Sequence, residues 1–175
     1  MRRVRQVVLF CDIHRFMRAA VALGDRMPAF VQAFYETVGA EAVAGGGAIL
    51  KYIGDALMAV FPAGGEIDAV RAGLAMRAAF ADLAARWQLD PECCLEVGIS
   101  AGEVTRGVFG HPSLGQDDVM GETVSHAAML QHHRGVAVTR SVRDAVGDAF
   151  ATETLPDLPV KFSAEPLASW RIVEG

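Results

Sequence analysis

The stretch 48–61, AILKYIGDALMAVF, constrains the fold more than any other part of the chain. Two runs of apolar and strand-favouring residues, 48–53 and 56–61, are separated by only Gly54 and Asp55. That spacing is a β-hairpin signal, because a two-residue loop that needs left-handed backbone is filled by Gly paired with Asp or Asn. The two runs, AILKYI and ALMAVF, therefore read as paired strands. Helices flank them. Residues 28–44 read as a helix with Pro28 in its first turn and Phe30, Phe34 and Val38 on one face, ended by Gly45, Gly46 and Gly47. Residues 66–87 read as another, with Met76, Phe80, Leu83 and Trp87 at helical spacing.

The remaining elements are weaker. Residues 6–12 read as a buried strand ended by an acid, and 15–24 as a short helix. Residues 94–109 alternate and break at Gly102 and Gly107, which predicts two strands. A sheet edge is expected at 117–119, a helix at 121–133, and short strands at 136–139, 158–162 and 167–173. The order is strand, two helices, hairpin, helix, strand pair, helix, strands. This is an α+β chain with a ferredoxin-like βαββαβ core and a mostly antiparallel sheet with flanking helices.

The 175 residues suit one domain, 1–175, and leave little room for two. Hydrophobic residues make up 52%, which points to one apolar face buried against a partner. No stretch reaches the ~18 apolar residues of a membrane span. The opening MRRVR is basic, but the apolar run behind it soon meets Cys11 and Asp12, as a strand entering a core does and a signal peptide does not. Net charge is −5 without a basic stripe, which argues against nucleic-acid binding. Cys11, Cys93 and Cys94 lack a metal-binding spacing and read as small buried hydrophobes in a reducing cytoplasm.

Two acids carry the chemistry. Asp12 ends a strand where the chain turns into a helix, and Asp55 sits in the hairpin turn. Strand ends and hairpin turns can converge at one sheet edge. Two carboxylates there make a hard oxygen site for Mg²⁺ or Mn²⁺, suited to phosphoryl chemistry. The helix start after Asp12 adds free N–H groups for phosphate oxygens. Taken singly, Asp12 reads equally as an N-cap and Asp55 as a turn residue.

The surrounding residues go further. VVLFCDIHRF at 7–16 resembles the F-x-D-I-x-x-F opening of class III adenylate and guanylate cyclases, and KYIGDALMAVF at 51–61 matches that family's K-x-x-G-D-x-x-M-A-x-F hairpin. VGISAG at 97–102 with Gly107 and Gly110 is similar to its glycine-marked strand pair, and DVMGETV at 118–124 to its D-x-x-G-x-x-V segment. Val160, Lys161, Glu165, Pro166, Trp170, Arg171 and Ile172 resemble its closing strands. The resemblance runs from about residue 5 to 173 in family order. It implies that Asp12 and Asp55, helped by the Ile13 carbonyl, hold Mg²⁺ or Mn²⁺. It implies that Lys51 and Asp118 read adenine and that Lys161 contacts the triphosphate of ATP. Phe16, the closing aromatic of the opening motif, and Arg15 fall beside the phosphates. In the family, metal-binding and base-reading residues come from opposite subunits, so a homodimer is implied.

The chain departs from that pattern on the helix after Asp118. The family carries an Asn and an Arg four residues apart there; this chain has Ser125 and Met129. Ser125 still hydrogen-bonds and is the stand-in for the ribose-orienting residue, whereas Met129 neither donates nor carries charge. Arg15 and Met17 replace small and hydroxyl residues, Glu96 replaces a frequent Arg, and Phe162 replaces a Gly. Two accounts follow. Either Arg15 supplies the missing positive charge of an adenylate cyclase, or the domain binds nucleotide or dimerises for regulation through a partner not visible in the sequence. A related diguanylate cyclase is disfavoured because no G-G-[D/E]-E-F segment occurs. His132 and His133 read as a solvated helix end, and imidazole suits a hard Mg²⁺ site poorly, which sets His14 aside as a ligand.

Overall fold

The structure is a computed structural model that describes residues 1–161 and 165–173. The order is β1 (Arg2–Ile13), α1 (Phe16–Leu23), α2 (Met27–Ala44), β2 (Ala48–Ile53), β3 (Ala56–Pro62), α3 (Glu66–Arg86), β4 (Leu95–His111), β5 (Leu114–Met120), α4 (Glu122–Leu130), β6 (Val136–Thr139), α5 (Arg140–Val146), β7 (Thr152–Thr154) and β8 (Ser169–Ile172). The strands lie in the order β2-β3-β1-β4-β6-β8-β7, with β5 paired to β4. Only β4 and β6 run parallel among these pairs. The first four positions, β2-β3-β1-β4, are the strand order of the expected βαββαβ core.

Strand alternation divides the interior in two. Val7, Leu9, Cys11 and Ile13 of β1 and Leu57, Ala59 and Phe61 of β3 join one cluster with Phe30, Phe34, Met76 and Phe80 from α2 and α3. Val8 and Phe10, with Met58 and Val60, join another with Val104, Val119 and Ala127. The hairpin strand β3 is therefore buried on both faces, which accounts for its unbroken apolar sequence. By the same alternation Asp12 falls on the α4 side. Full burial of a side chain such as Phe30 or Phe34 contributes about 1.5–3 kcal/mol.

The expected strand pair within 94–109 is instead one 17-residue strand, β4. Gly102 and Gly107 do not break it, and Gly98 and Gly102 admit a helix. A Cβ on Gly98 would stand 2.2 Å from the Ala127 carbonyl oxygen, and one on Gly102 would stand 2.5 Å from Thr123 Oγ1. So α4 lies directly on β4, and Thr123, Ala127 and Leu130 are its buried face. β1 is longer than expected because Arg2 to Arg5 pair with the far half of β4, from Arg106 to Glu103. The expected 158–162 strand reduces to one bridge, Leu158 with Leu167, and Phe162 lies outside the described residues. α5 and β7 fall where the sequence has no strong period: α5 buries only Val142 and Val146, and β7 has three residues.

Candidate active site

Asp12 stands next to last in β1. Its register partners are Ala56 of β3 and Glu96 of β4. Asp55 immediately precedes Ala56, so the hairpin turn delivers the second acid beside the first. Gly54 supplies the left-handed backbone the turn needs, with φ 60°. The convergence expected from the sequence is therefore present: strand end and hairpin tip meet at one edge of the sheet.

The electrostatics of that edge are unfavourable to two bare carboxylates. Burial first, and then the charge of Asp55, raise the Asp12 carboxyl to about 6. Burial likewise raises Asp55. Glu96 adds a third negative charge that pushes Asp12 up, while His14 and His132 pull it down. Glu96 is only 4% exposed and meets His14, with 3.2 Å between its Oε1 and the Nδ1 of the ring. Among the described residues, no Lys or Arg is ion-paired with Asp12 or Asp55, and no group of three or more His, Cys, Asp and Glu is placed to hold a metal alone. Two half-buried carboxylates brought this close fit a divalent cation, which favours hard oxygen ligands.

A different pairing stands on the α4 side of the sheet. Lys51 Nζ on β2 donates to Asp118 Oδ2 on β5 at 2.5 Å. The Gln116 side-chain amide donates to the Leu50 carbonyl at 3.0 Å, which ties the same two strands together. Asp118 is buried, and its other carboxylate oxygen accepts from the Val119 N–H at 2.8 Å. Strands far apart in the sheet order meet here because β5 packs over the cluster shared by β1, β3 and α4.

The other expected site residues are more scattered. Ser125 is exposed on α4, and Met129, one turn on, is half-buried. Both lie off the helix face that packs on β4. Arg15 holds a left-handed backbone at the start of α1, with φ 60°, and its guanidinium donates to Glu92. Phe16 is half-buried against the main core. Ile13 is buried, and Lys161 is exposed in a turn. The sequence gives no role to three side chains that the structure draws to the edge carrying Asp12 and Asp55. His132 is set aside above as a solvated helix end, yet its charge reaches Asp12. Glu96 appears only as a departure from the family pattern. The Tyr35 hydroxyl donates to the Gly54 carbonyl at 2.5 Å. The one sequence signal for Glu96 is an acid within the otherwise apolar run LEVGI at 95–99; nothing local marks Tyr35.

Comparison with known proteins agrees with this geometry. The chain is 28% identical over 150 residues to an adenylate cyclase of Anabaena cylindrica, covering 79% of this chain and 30% of that protein. It is 25% identical over 142 residues to a terminal-differentiation-specific adenylate cyclase of Dictyostelium discoideum, covering 74% and 7%. The chain thus spans under a third of either relative. Among solved structures, the fold is similar to the adenylyl cyclase CyaB from P. aeruginosa, with TM-score 0.90 and 22% identity over 99% of this chain and 96% of that one. It is also similar to the guanylyl cyclase Cya2, with TM-score 0.86 and 19% identity over 98% and 92%. The profile of the adenylate and guanylate cyclase catalytic domain matches residues 2–170. With that match, and with paired aspartates and a strand-bridging Lys and Asp on the same fold, the chain belongs to the class III adenylate and guanylate cyclase catalytic domain family.

Proposed function

We propose that this chain is an adenylate cyclase that converts ATP to 3′,5′-cyclic AMP and pyrophosphate at sites formed between two copies of itself. The observation that carries this reading is the pair of half-buried aspartates brought together at one sheet edge, Asp55 preceding the register partner of Asp12, with both carboxyls raised by burial and Asp12 also by the Asp55 charge. Asp12, Asp55 and the Ile13 carbonyl hold Mg²⁺ or Mn²⁺. The ion, when bound, supplies Lewis-acid polarisation and neutralises phosphate charge. In the reaction the ribose 3′ oxygen forms a bond to the α-phosphorus while the bond from that phosphorus to pyrophosphate breaks.

The Lys51–Asp118 pair supports ATP over GTP. An ammonium donates to N1 of adenine and a carboxylate accepts from its 6-amino group, while guanine presents the opposite pattern at those atoms. The two residues already lie within one hydrogen bond of each other, so base binding replaces a contact inside the protein with two to the purine. Ser125 orients the ribose, and Lys161, Arg15 and Phe16 lie toward the phosphates. The homodimer reading draws support from large apolar side chains left in solvent on α1, where Met17 is 73% and Val21 80% exposed.

A second reading, a nucleotide-binding or regulatory module without turnover, is favoured by one observation: Met129 stands where the family resemblance calls for a cation. The chain is to be incubated with ATP, GTP, CTP or UTP and Mn²⁺ or Mg²⁺, with cyclic product resolved by mass. Cyclic AMP that disappears in Asp12→Ala is the expected result. ATP with Mn²⁺ raising the melting temperature without product is the signature of the second reading.

A further inference from the structure

We infer that Tyr35 is a positioning residue for Asp55: from α2 it pins the tip of the β2–β3 hairpin so that the carboxylate stays beside Asp12. The inference rests on the proposed metal role of the two aspartates. The tip needs an outside restraint. It is a two-residue turn in solvent, flanked by the exposed Tyr52 and Ile53, and Gly54 within it lacks a side chain to pack. The like charge of Asp12, whose register partner Ala56 is the next residue after Asp55, adds to that need.

Tyr35 meets that need at two points. Its hydroxyl donates to the Gly54 carbonyl at 2.5 Å, one peptide unit before Asp55. Its ring stacks on Tyr52 of β2, with centroids 4.1 Å apart and planes 30° apart. The stack is possible because α2 runs close to β2 at Gly39, one helical turn beyond. A Cβ on Gly39 would lie 3.0 Å from Ile49 Cδ1 and 3.1 Å from the Tyr52 hydroxyl. A helix of the main core thus reaches past the strand it covers to hold the turn behind it.

Tyr35→Phe keeps the stacked ring and removes only the hydroxyl. The full chain, Tyr35→Phe, Asp55→Asn and the double variant are to be titrated with Mn²⁺ alone, with free Mn²⁺ read by electron paramagnetic resonance and metal-free melting temperatures measured alongside. Outer-shell partners of a metal site typically contribute ~10–100-fold in affinity, so Tyr35→Phe is expected to weaken Mn²⁺ binding about tenfold. Its metal-free melting temperature is expected to stay within a few degrees of the unaltered chain. In the Asp55→Asn background the Phe substitution is expected to change nothing more, because its effect passes through Asp55. Unaltered Mn²⁺ affinity in Tyr35→Phe overturns the inference, as does a further tenfold loss in the double variant. Unaltered affinity in Asp55→Asn removes the metal reading itself and Tyr35 with it, and that result is distinct from a failure of Tyr35 alone.

Discussion

The edge that carries Asp12 and Asp55 and the crossing of Lys51 with Asp118 solve opposite problems with the same residue type. At the crossing, buried Asp118 has its charge answered from within the chain by Lys51 at 2.5 Å and the Val119 N–H at 2.8 Å. At the edge, burial raises both Asp12 and Asp55, and the charges of Asp55 and Glu96 raise Asp12 further. One acid rests in a completed contact that a ligand must exchange. The others are held at a cost that a cation relieves. Under the proposed function, the acids that lack a cation inside the protein are the ones that would meet the cation arriving with substrate.

The largest expected effect tests whether the two regions belong to one site. Asp12→Asn and Lys51→Met each abolish cyclic AMP formation, by ~10³-fold or more for the metal aspartate, since the ion supplies several kcal/mol of transition-state stabilisation. Mixing the two inactive variants restores activity if the regions meet across a two-fold interface. At equal amounts half the dimers are mixed, and each has one intact site, so about a quarter of the original rate is expected. No recovery after verified subunit exchange would place both regions within one copy.

Met129 separates the regions in another way, because it lies one turn after Ser125 on the helix next to β5. A preorganised donor to transition-state charge is worth roughly 2.7–4 kcal/mol, or ~10²–10³ in rate. Met129→Arg is therefore expected to raise kcat by up to that factor with little change in KM, as a purely transition-state contact does. An unchanged kcat would show that another cation already serves. Arg15 is the candidate, and its release from Glu92 would then be the step to look for.

At the crossing, Asp118→Asn keeps shape but lets the amide present either a donor or an acceptor. The preference for ATP over GTP in kcat/KM is expected to fall by about 10–100-fold, the scale of one misplaced hydrogen bond. Preference retained in full would move base selection away from this pair.

Which parts of this arrangement are legible in the sequence follows from what is local. Gly54 and Asp55 declare their turn through backbone demands within a few residues, and Asp12 declares a strand end. The core order follows from helical and strand periods, and α5 and β7 escape because each is too short to show one. The β4 glycines mislead, since a glycine that admits a helix and one that breaks a strand look alike until Ala127 and Thr123 are seen above them. Glu96 reaches Asp12 only through the register of β1 on β4, and Tyr35 reaches Gly54 only through the approach of α2 at Gly39. Both depend on distances set by packing rather than by spacing along the chain.

The smallest expected effect is a pH dependence at the edge that carries Asp12 and Asp55. The Asp12 carboxyl sits at about 6 in the folded protein against 3.8 for an unperturbed one. Because the folded state holds this proton more tightly, the contribution favours folding below pH ~4 and is lost as pH rises through about 6. The comparison to make is metal-free melting of the unaltered chain against Asp12→Asn, since other carboxylates cancel in the difference. Near pH 4 the two are expected to coincide. At pH 7 Asp12→Asn is expected to be the more stable by about 1–2 kcal/mol, after allowance for the partial exposure of the carboxylate. Saturating Mn²⁺ is expected to reverse the order at pH 7, because only the ionised pair binds it, and its affinity climbs as pH passes through about 6. If Asp12→Asn gains no stability at pH 7 without metal, the edge is not strained, and its difference from the Lys51–Asp118 crossing disappears.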